Sequence, residues 1–190
     1  MTTASGPGPI GLELLRRAAS IGRAPAAPDV EELETLRARV QAGALEDVSP
    51  SQAWPAIAEC LMARAPARSM RFLRRCGALE HFLPEVEALF GVPQIAEGEA
   101  NADLGELLTN ALSEAALCDA PLPVRFALMV MNVGKSDSPR EHLPVHYGHI
   151  DRGRPRIEAI CARFETPKEC RELALTALAE CERVHRASRV

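Results

Sequence analysis

Apolar residues in this sequence recur three and four places apart, and no β-branched run alternates apolar with polar positions. That spacing gives each of several helices one apolar stripe and leaves no segment patterned for a sheet. Leu12, Leu15 and Ala19 mark a helix over Ile10 to Ile21. Val30, Leu33, Leu36 and Val40 mark the next, opened by Asp29 with Glu32 three residues on as a capping box and ended by Gly43. Ser49-Pro50-x-Gln52 opens a third, which carries Trp54, Ile57, Ala58 and Leu61 until Pro66 breaks it. A short helix then runs to Gly77, a kinked helical stretch to Phe90, and a loop over Gly91 to Ala102. Asp103 to Cys118 is amphipathic, and Val124 to Val133 is apolar almost all round, hence central and buried. A long loop covers Gly134 to Pro155, and Thr166-Pro167-x-Glu169 opens the last helix. The expected fold is all-α, a bundle of about seven to nine helices. Residues 1–9 are small, polar and rich in Pro and Gly, and read as a disordered tail.

Composition excludes several classes. With 190 residues, 47% apolar and 25% charged, the chain is neither fibrous nor disordered and can bury a core unaided. No apolar run approaches the roughly 20 residues of a membrane span, and the first residues lack a basic stretch followed by an apolar one. The expectation is a cytoplasmic protein with no membrane partner. Six cysteines, at 60, 76, 118, 161, 170 and 181, form no C-x-x-C pair. They read as reduced, buried thiols rather than a zinc or redox site.

Charge is distributed unevenly. The net charge is −4, so the whole chain is not a generic polyanion binder. Yet Arg64, Arg68, Arg71, Arg74 and Arg75 crowd into the stretch from Cys60 to Leu79 with no acid among them, and nine acids fall between Cys76 and Val124 with no Lys or Arg. Arg64, Arg68, Arg71 and Arg75 follow 4, 3, 4 spacing, a basic stripe suited to phosphate contacts if one helix carries them, although Pro66 interrupts its start. Aromatic residues are 4% of the chain, too few for platforms on which bases could stack.

Other candidates have plainer readings. Gly134-Lys135-Ser136 matches the end of a phosphate-binding P-loop, but position 129 is Met where that motif needs Gly, and no strand precedes it. His142, His146 and His149 could reach one metal if their loop folded back, and otherwise are polar loop residues. Glu97, Glu99, Asp103 and Glu106 read as a solvated loop and helix start rather than an acidic metal site.

Several strings resemble one family. Leu45-Glu46-Asp47-Val48-Ser49-Pro50 with Trp54, and LMARAPARSMRFLRRCGALEHFLPEVEALFGVPQ over 61–94, are similar to the neck of bacterial CCA-adding tRNA nucleotidyltransferases. VRFALMVMNVGKS (124–136), LPVHYGH (143–149) and RFETPKECRELA (163–174) resemble the HD-type domain that follows that neck. The resemblance implies a helical neck over 10–95, an HD-type helical domain over 96–190, and tRNA or another structured RNA as partner through the arginine-rich segment.

Two departures qualify it. The family's catalytic head carries a G-G-x-x-R-type motif and a D-x-D pair that holds Mg²⁺, and neither motif occurs in these 190 residues. The HD pattern places a His on one helix, a His-Asp pair on a later one, and an acidic or His position near the end. Leu107, Met131-Asn132 and Cys181-Glu182 occupy those places here, with His146 and His149 matching the family's His-rich loop. Leu and Met do not bind hard divalent ions, and neutral Asn is a poor carboxylate substitute. The resemblance therefore implies a non-catalytic RNA-associated protein without a cofactor. Two alternatives stand beside it. One is a module that docks another protein or a second copy through the 79–90 segment, with Phe82 or Phe90 exposed. The other is a residual phosphohydrolase using His142, His146, His149 and Glu182.

Overall fold

A computed structural model describes residues 10–23, 28–96 and 99–187; the proposed tail over 1–9 lies outside these described residues. The described residues contain ten α-helices, two short 3-10 turns and one small hairpin, in agreement with a helical bundle. The first four helices are α1 (Ile10–Arg23), α2 (Val30–Gln41), α3 (Pro50–Met62) and α4 (Pro66–Arg75). The next two, α5 (Ala78–Phe82) and α6 (Pro84–Glu87), are the two halves of the kinked stretch, parted at Leu83 by the proline that follows it. Then come α7 (Leu104–Leu117), α8 (Leu122–Val130), α9 (His149–Phe164) and α10 (Lys168–Ala187).

Local chemistry explains most helix ends. Ser49 Oγ accepts from the Gln52 amide at 3.2 Å while Gln52 Oε1 accepts from the Ser49 amide at 3.0 Å, so the reciprocal capping box forms. At α2 the box does not form. Asp29 caps the Glu31 amide, and Glu32 instead takes a bidentate ion pair with Arg17 of α1. Gly43 follows α2 with φ +86°, a conformation that costs glycine little. Pro66 ends nothing by kinking; it stands in the first turn of α4, where its missing N–H has no helical partner to lose.

Two expectations are corrected. The segment 91–102, expected as loop, contains antiparallel strands β1 (Pro93–Ala96) and β2 (Glu99–Asp103), with Pro93 opposite Asp103 and Gln94 opposite Ala102. Its residues lack strand patterning. The hairpin is set by its frame: Asp103 caps α7 through Glu106 N at 3.0 Å and also accepts from Gly91 N at 2.6 Å, closing the two ends. The second correction is the start of α9. The loop expected through Pro155 ends at Gly148, because Pro155 lies on the exposed side of the helix, and Asp151, whose carbonyl its ring cannot serve, is exposed as well.

One apolar core runs from Leu14 and Leu15 of α1 through Phe72 and Leu73 of α4 to Phe126, Ile157, Phe164 and Leu178. Trp54 of α3 meets Phe126 of α8 edge-on at 5.6 Å and Phe164 of α9 at 6.4 Å. Across the same join, Arg125 is buried and donates to the carbonyls of Leu61 and Ala63 at the end of α3, at 2.9 and 3.0 Å. Arg163 of α9 pairs with both oxygens of Glu85 at 2.9 and 2.8 Å.

The cysteines are free thiols, four of them buried, and burial pushes Cys60 up to about 12. Cys118 departs from the expectation of burial: it caps the C-terminus of α7 and is exposed. No helix among the described residues is long and apolar enough to cross a membrane.

Candidate functional site

Helix α4 buries Ala67, Ser69, Met70, Phe72 and Leu73, so its arginines are left to the outer side. Ser69 fixes the inner side by donating to Ala18 O of α1 at 2.9 Å. Arg71, Arg74 and Arg75 are exposed, and Arg68 is half-buried. Arg64 lies before the helix begins, exposed in the bend between α3 and α4, so the stripe on α4 proper is Arg68, Arg71 and Arg75, with Arg74 to one side.

The acids distant in sequence come to this face. Arg71 Nη2 donates to Glu106 Oε2 of α7 at 2.8 Å and to Thr109 Oγ1 at 3.1 Å. Arg74 Nε donates to Glu87 Oε1 of α6 at 2.9 Å, and its guanidinium lies 4.1 Å from the centre of the Phe90 ring. The basic stretch has no acid within it, yet among the described residues Arg71 and Arg74 both have carboxylate partners. No ion pair ties Arg64 or Arg75 to a described residue.

The places matched to HD ligands fall on packed elements. Leu107 of α7 is half-buried against the core, and Met131 caps α8. Asn132 leads the 3-10 turn Val133–Lys135, which packs on α9. Cys181 lies half-buried in α10 with its thiol 3.5 Å from Leu178 O. Glu182 belongs to α10, but its side chain lies outside the described residues, as do those of Glu97 and Glu99.

The three loop histidines do not converge. His142 is exposed, its ring edge-on to Tyr147 at 5.5 Å. His146 is buried, with Nε2 3.0 Å from Pro93 O and Nδ1 2.8 Å from Ser138 Oγ. A carbonyl only accepts, so Nε2 carries the proton and Nδ1 takes the Ser138 hydroxyl, which leaves no lone pair for a metal. His149 is buried with Nδ1 2.9 Å from His146 O. Among the described residues no group of three or more His, Cys, Asp or Glu is placed to hold a metal ion. Gly134 and Lys135 lie in that 3-10 turn, with Ser136 capping it, after a helix rather than in the strand-to-helix loop of a phosphate cradle, and Lys135 Nζ donates to Gln94 Oε1 at 2.9 Å.

The main missed residues are Arg152 and Arg156, one turn apart on α9, which bind the loop before them. Arg152 donates to Gly134 O, Asp137 Oδ1, Ser138 Oγ and Tyr147 O at 2.8–3.1 Å. Arg156 donates to Val133 O, Ser136 Oγ and Asp137 Oδ2 at 2.7–3.0 Å. Their i, i+4 spacing was a signal that Pro155 obscured. Between this loop and β1 lies a cleft of about 550 Å³, lined by Gln94, Ile95, Lys135 and Pro144 to Asp151.

Burial lowers the His146 pKa, opposed in part by its bond to Pro93 O. The folded state therefore favours neutral imidazole, whereas the unfolded chain takes the proton near the ordinary value of about 6.5. Stability from this group is complete above that value and declines as pH falls. Wild type should lose more thermal stability than His146→Gln between pH 7 and pH 5; equal losses would refute the assignment.

Similar chains were found among curated proteins. The chain is 40% identical over 177 residues to a "Multifunctional CCA protein" of Cupriavidus metallidurans, covering 93% of this chain and 42% of that one. It is 38% identical over 176 residues to the protein of the same name from Ralstonia nicotianae, covering 93% and 41%. This chain is a partial-length relative of the multifunctional CCA proteins. A third such protein, from Burkholderia mallei, is 39% identical over 175 residues, 92% of this chain and 42% of its own. The chain thus spans about two-fifths of the length of these relatives. No family model matches this CCA-protein relative, and no solved structure matches it.

Proposed function

We propose that this chain is a non-catalytic, RNA-associated relative of the CCA proteins, which holds tRNA or another structured RNA by its phosphates. The observation that carries this reading is the outer side of α4, where Arg68, Arg71, Arg74 and Arg75 stand on a helix whose other side is anchored in the core, with Arg64 just before it. Guanidinium groups make paired hydrogen bonds to phosphate oxygens, and a helix holds them at fixed intervals along a backbone. With 4% aromatic residues, recognition would rest on backbone shape rather than stacked bases. In this reading residues 10–95 are the RNA-facing neck and 96–190 an HD-type helical scaffold, working in the cytoplasm without a cofactor. The filled hydrogen-bonding capacity of His146 supports loss of the metal site.

The test is a titration of protein into labelled tRNA at several salt concentrations. Charge reversal of Arg68, Arg71 and Arg75 together should weaken binding at least about tenfold. It should also flatten the log–log salt slope by roughly two to three, since each phosphate neutralised adds about 0.9 to that slope. A folded triple variant that binds as tightly as wild type would overturn the reading. Docking of another protein or a second copy is the second reading. Its expected anchors are corrected by the structure: Phe82 is buried in the core, and Phe90 is half-buried against Gly105 and under Arg74. Exposed apolar residues stand instead at the cleft, as Ile95, Val145 and Tyr147. Sedimentation as a strict monomer that gains no partner would remove this second reading.

A further inference from the structure

We propose that Glu106 and Glu87 are built-in competitors for the phosphates that α4 receives, so that this surface selects closely spaced phosphates of a folded RNA over isolated nucleotides. The inference rests on the RNA reading above and deepens it. Two different helices each send one carboxylate onto one arginine of the basic side: Glu106 of α7 onto Arg71 at 2.8 Å, and Glu87 of α6 onto Arg74 at 2.9 Å. Both arginines remain exposed, with side-chain accessibilities of 46% and 43%, so a phosphate can reach them from solvent.

A phosphate oxygen arriving at Arg71 exchanges one charge-assisted hydrogen bond for another. For a lone nucleotide that exchange is nearly even, and the displaced carboxylate then repels it. A folded RNA differs because its phosphates arrive linked. Once Arg64 or Arg75, which no ion pair ties to a described residue, holds one phosphate, the next stand near Arg71 and Arg74 at high effective concentration. A helix rise of about 1.5 Å per residue sets Arg71 about 6 Å along the axis from Arg75, close to the interval between successive phosphates on a strand. The carboxylates therefore suppress single contacts while leaving multiple contacts favourable. Thr109, which accepts from Arg71 at 3.1 Å, and the Phe90 ring beneath Arg74 keep the two guanidinium groups in place when the carboxylates are displaced.

The experiment titrates labelled tRNA with wild type, Glu106→Gln, Glu87→Gln and the double variant, with adenosine monophosphate as competitor and thermal melting to confirm folding. Each substitution should tighten tRNA binding about threefold, the scale of one exposed ion pair. The double variant should also be displaced by lower adenosine monophosphate concentrations than wild type needs, relative to its tRNA affinity. Wild type that binds tRNA through Arg64 and Arg75, with glutamine variants no tighter, would overturn this inference and leave the RNA reading intact. Failure of both wild type and double variant to bind at low salt would overturn both. Glu87 Oε2 is buried without a hydrogen-bond partner, so should Glu87→Gln fail to fold, the exposed Glu106→Gln decides alone.

Discussion

Arg125→Met is expected to destabilise the protein by about 4 kcal/mol, the combined scale of forfeited charged hydrogen bonds and stranded carbonyls. Arg125 is 4% exposed and has no carboxylate among the hydrogen-bond acceptors of its guanidinium. It donates Nε to Ala120 O at 2.8 Å and Nη1 to Leu61 O and Ala63 O at 2.9 and 3.0 Å. Leu61 and Ala63 end α3, where helical carbonyls have run out of amide partners and a cation meets the negative end of the dipole. Methionine fills much of the volume but donates nothing, so three carbonyls lose their donors together. Lysine restores the charge without the planar fork and should recover less than half of the loss. Urea unfolding of the three proteins decides the matter. A Met variant within about 1 kcal/mol of wild type would mean that water reaches those carbonyls.

Gly134→Ala should cost about 3 kcal/mol, the upper end for overpacking. A Cβ there would stand 2.0 Å from His149 O, 2.5 Å from Gly153 N and 2.8 Å from Gly153 Cα. All three are backbone atoms of α9, which cannot rotate aside as a side chain would. For a chain of this size the melting temperature should drop by about 6–12 °C. Gly91 provides the contrast: it has φ +85° and nothing within 4 Å of its added Cβ, so alanine there bears only the cost of left-handed backbone, about 1 kcal/mol. Equal melting of the two variants would contradict the close approach of the turn to α9.

How much the sequence reveals depends on whether the determinant is near in the chain. The apolar stripes and the Ser49 box are satisfied within four residues, and each is legible. The hairpin is illegible because polar, small residues become strands only when Asp103 reaches back to Gly91. The onset of α9 is hidden because Pro155 signals a break, and only the burial of its neighbours shows it to be on the solvent side. Arg125 within an apolar run gives no hint of its partners, since two of them lie more than sixty residues away. The basic segment is legible as composition. Its electrostatics are not, because Glu87 and Glu106 are 13 and 35 residues from the arginines they meet.

The two guanidinium forks of Arg152 and Arg156 turn what reads as a slack connection into masonry. Segment 133–148 is mortared to the first two turns of α9 at backbone and side chain alike. Its ordering entropy is lost when the chain folds and not when something arrives. Whatever enters the adjoining cleft therefore meets walls already standing, and its fit is decided by shape rather than by persuasion of a mobile flap.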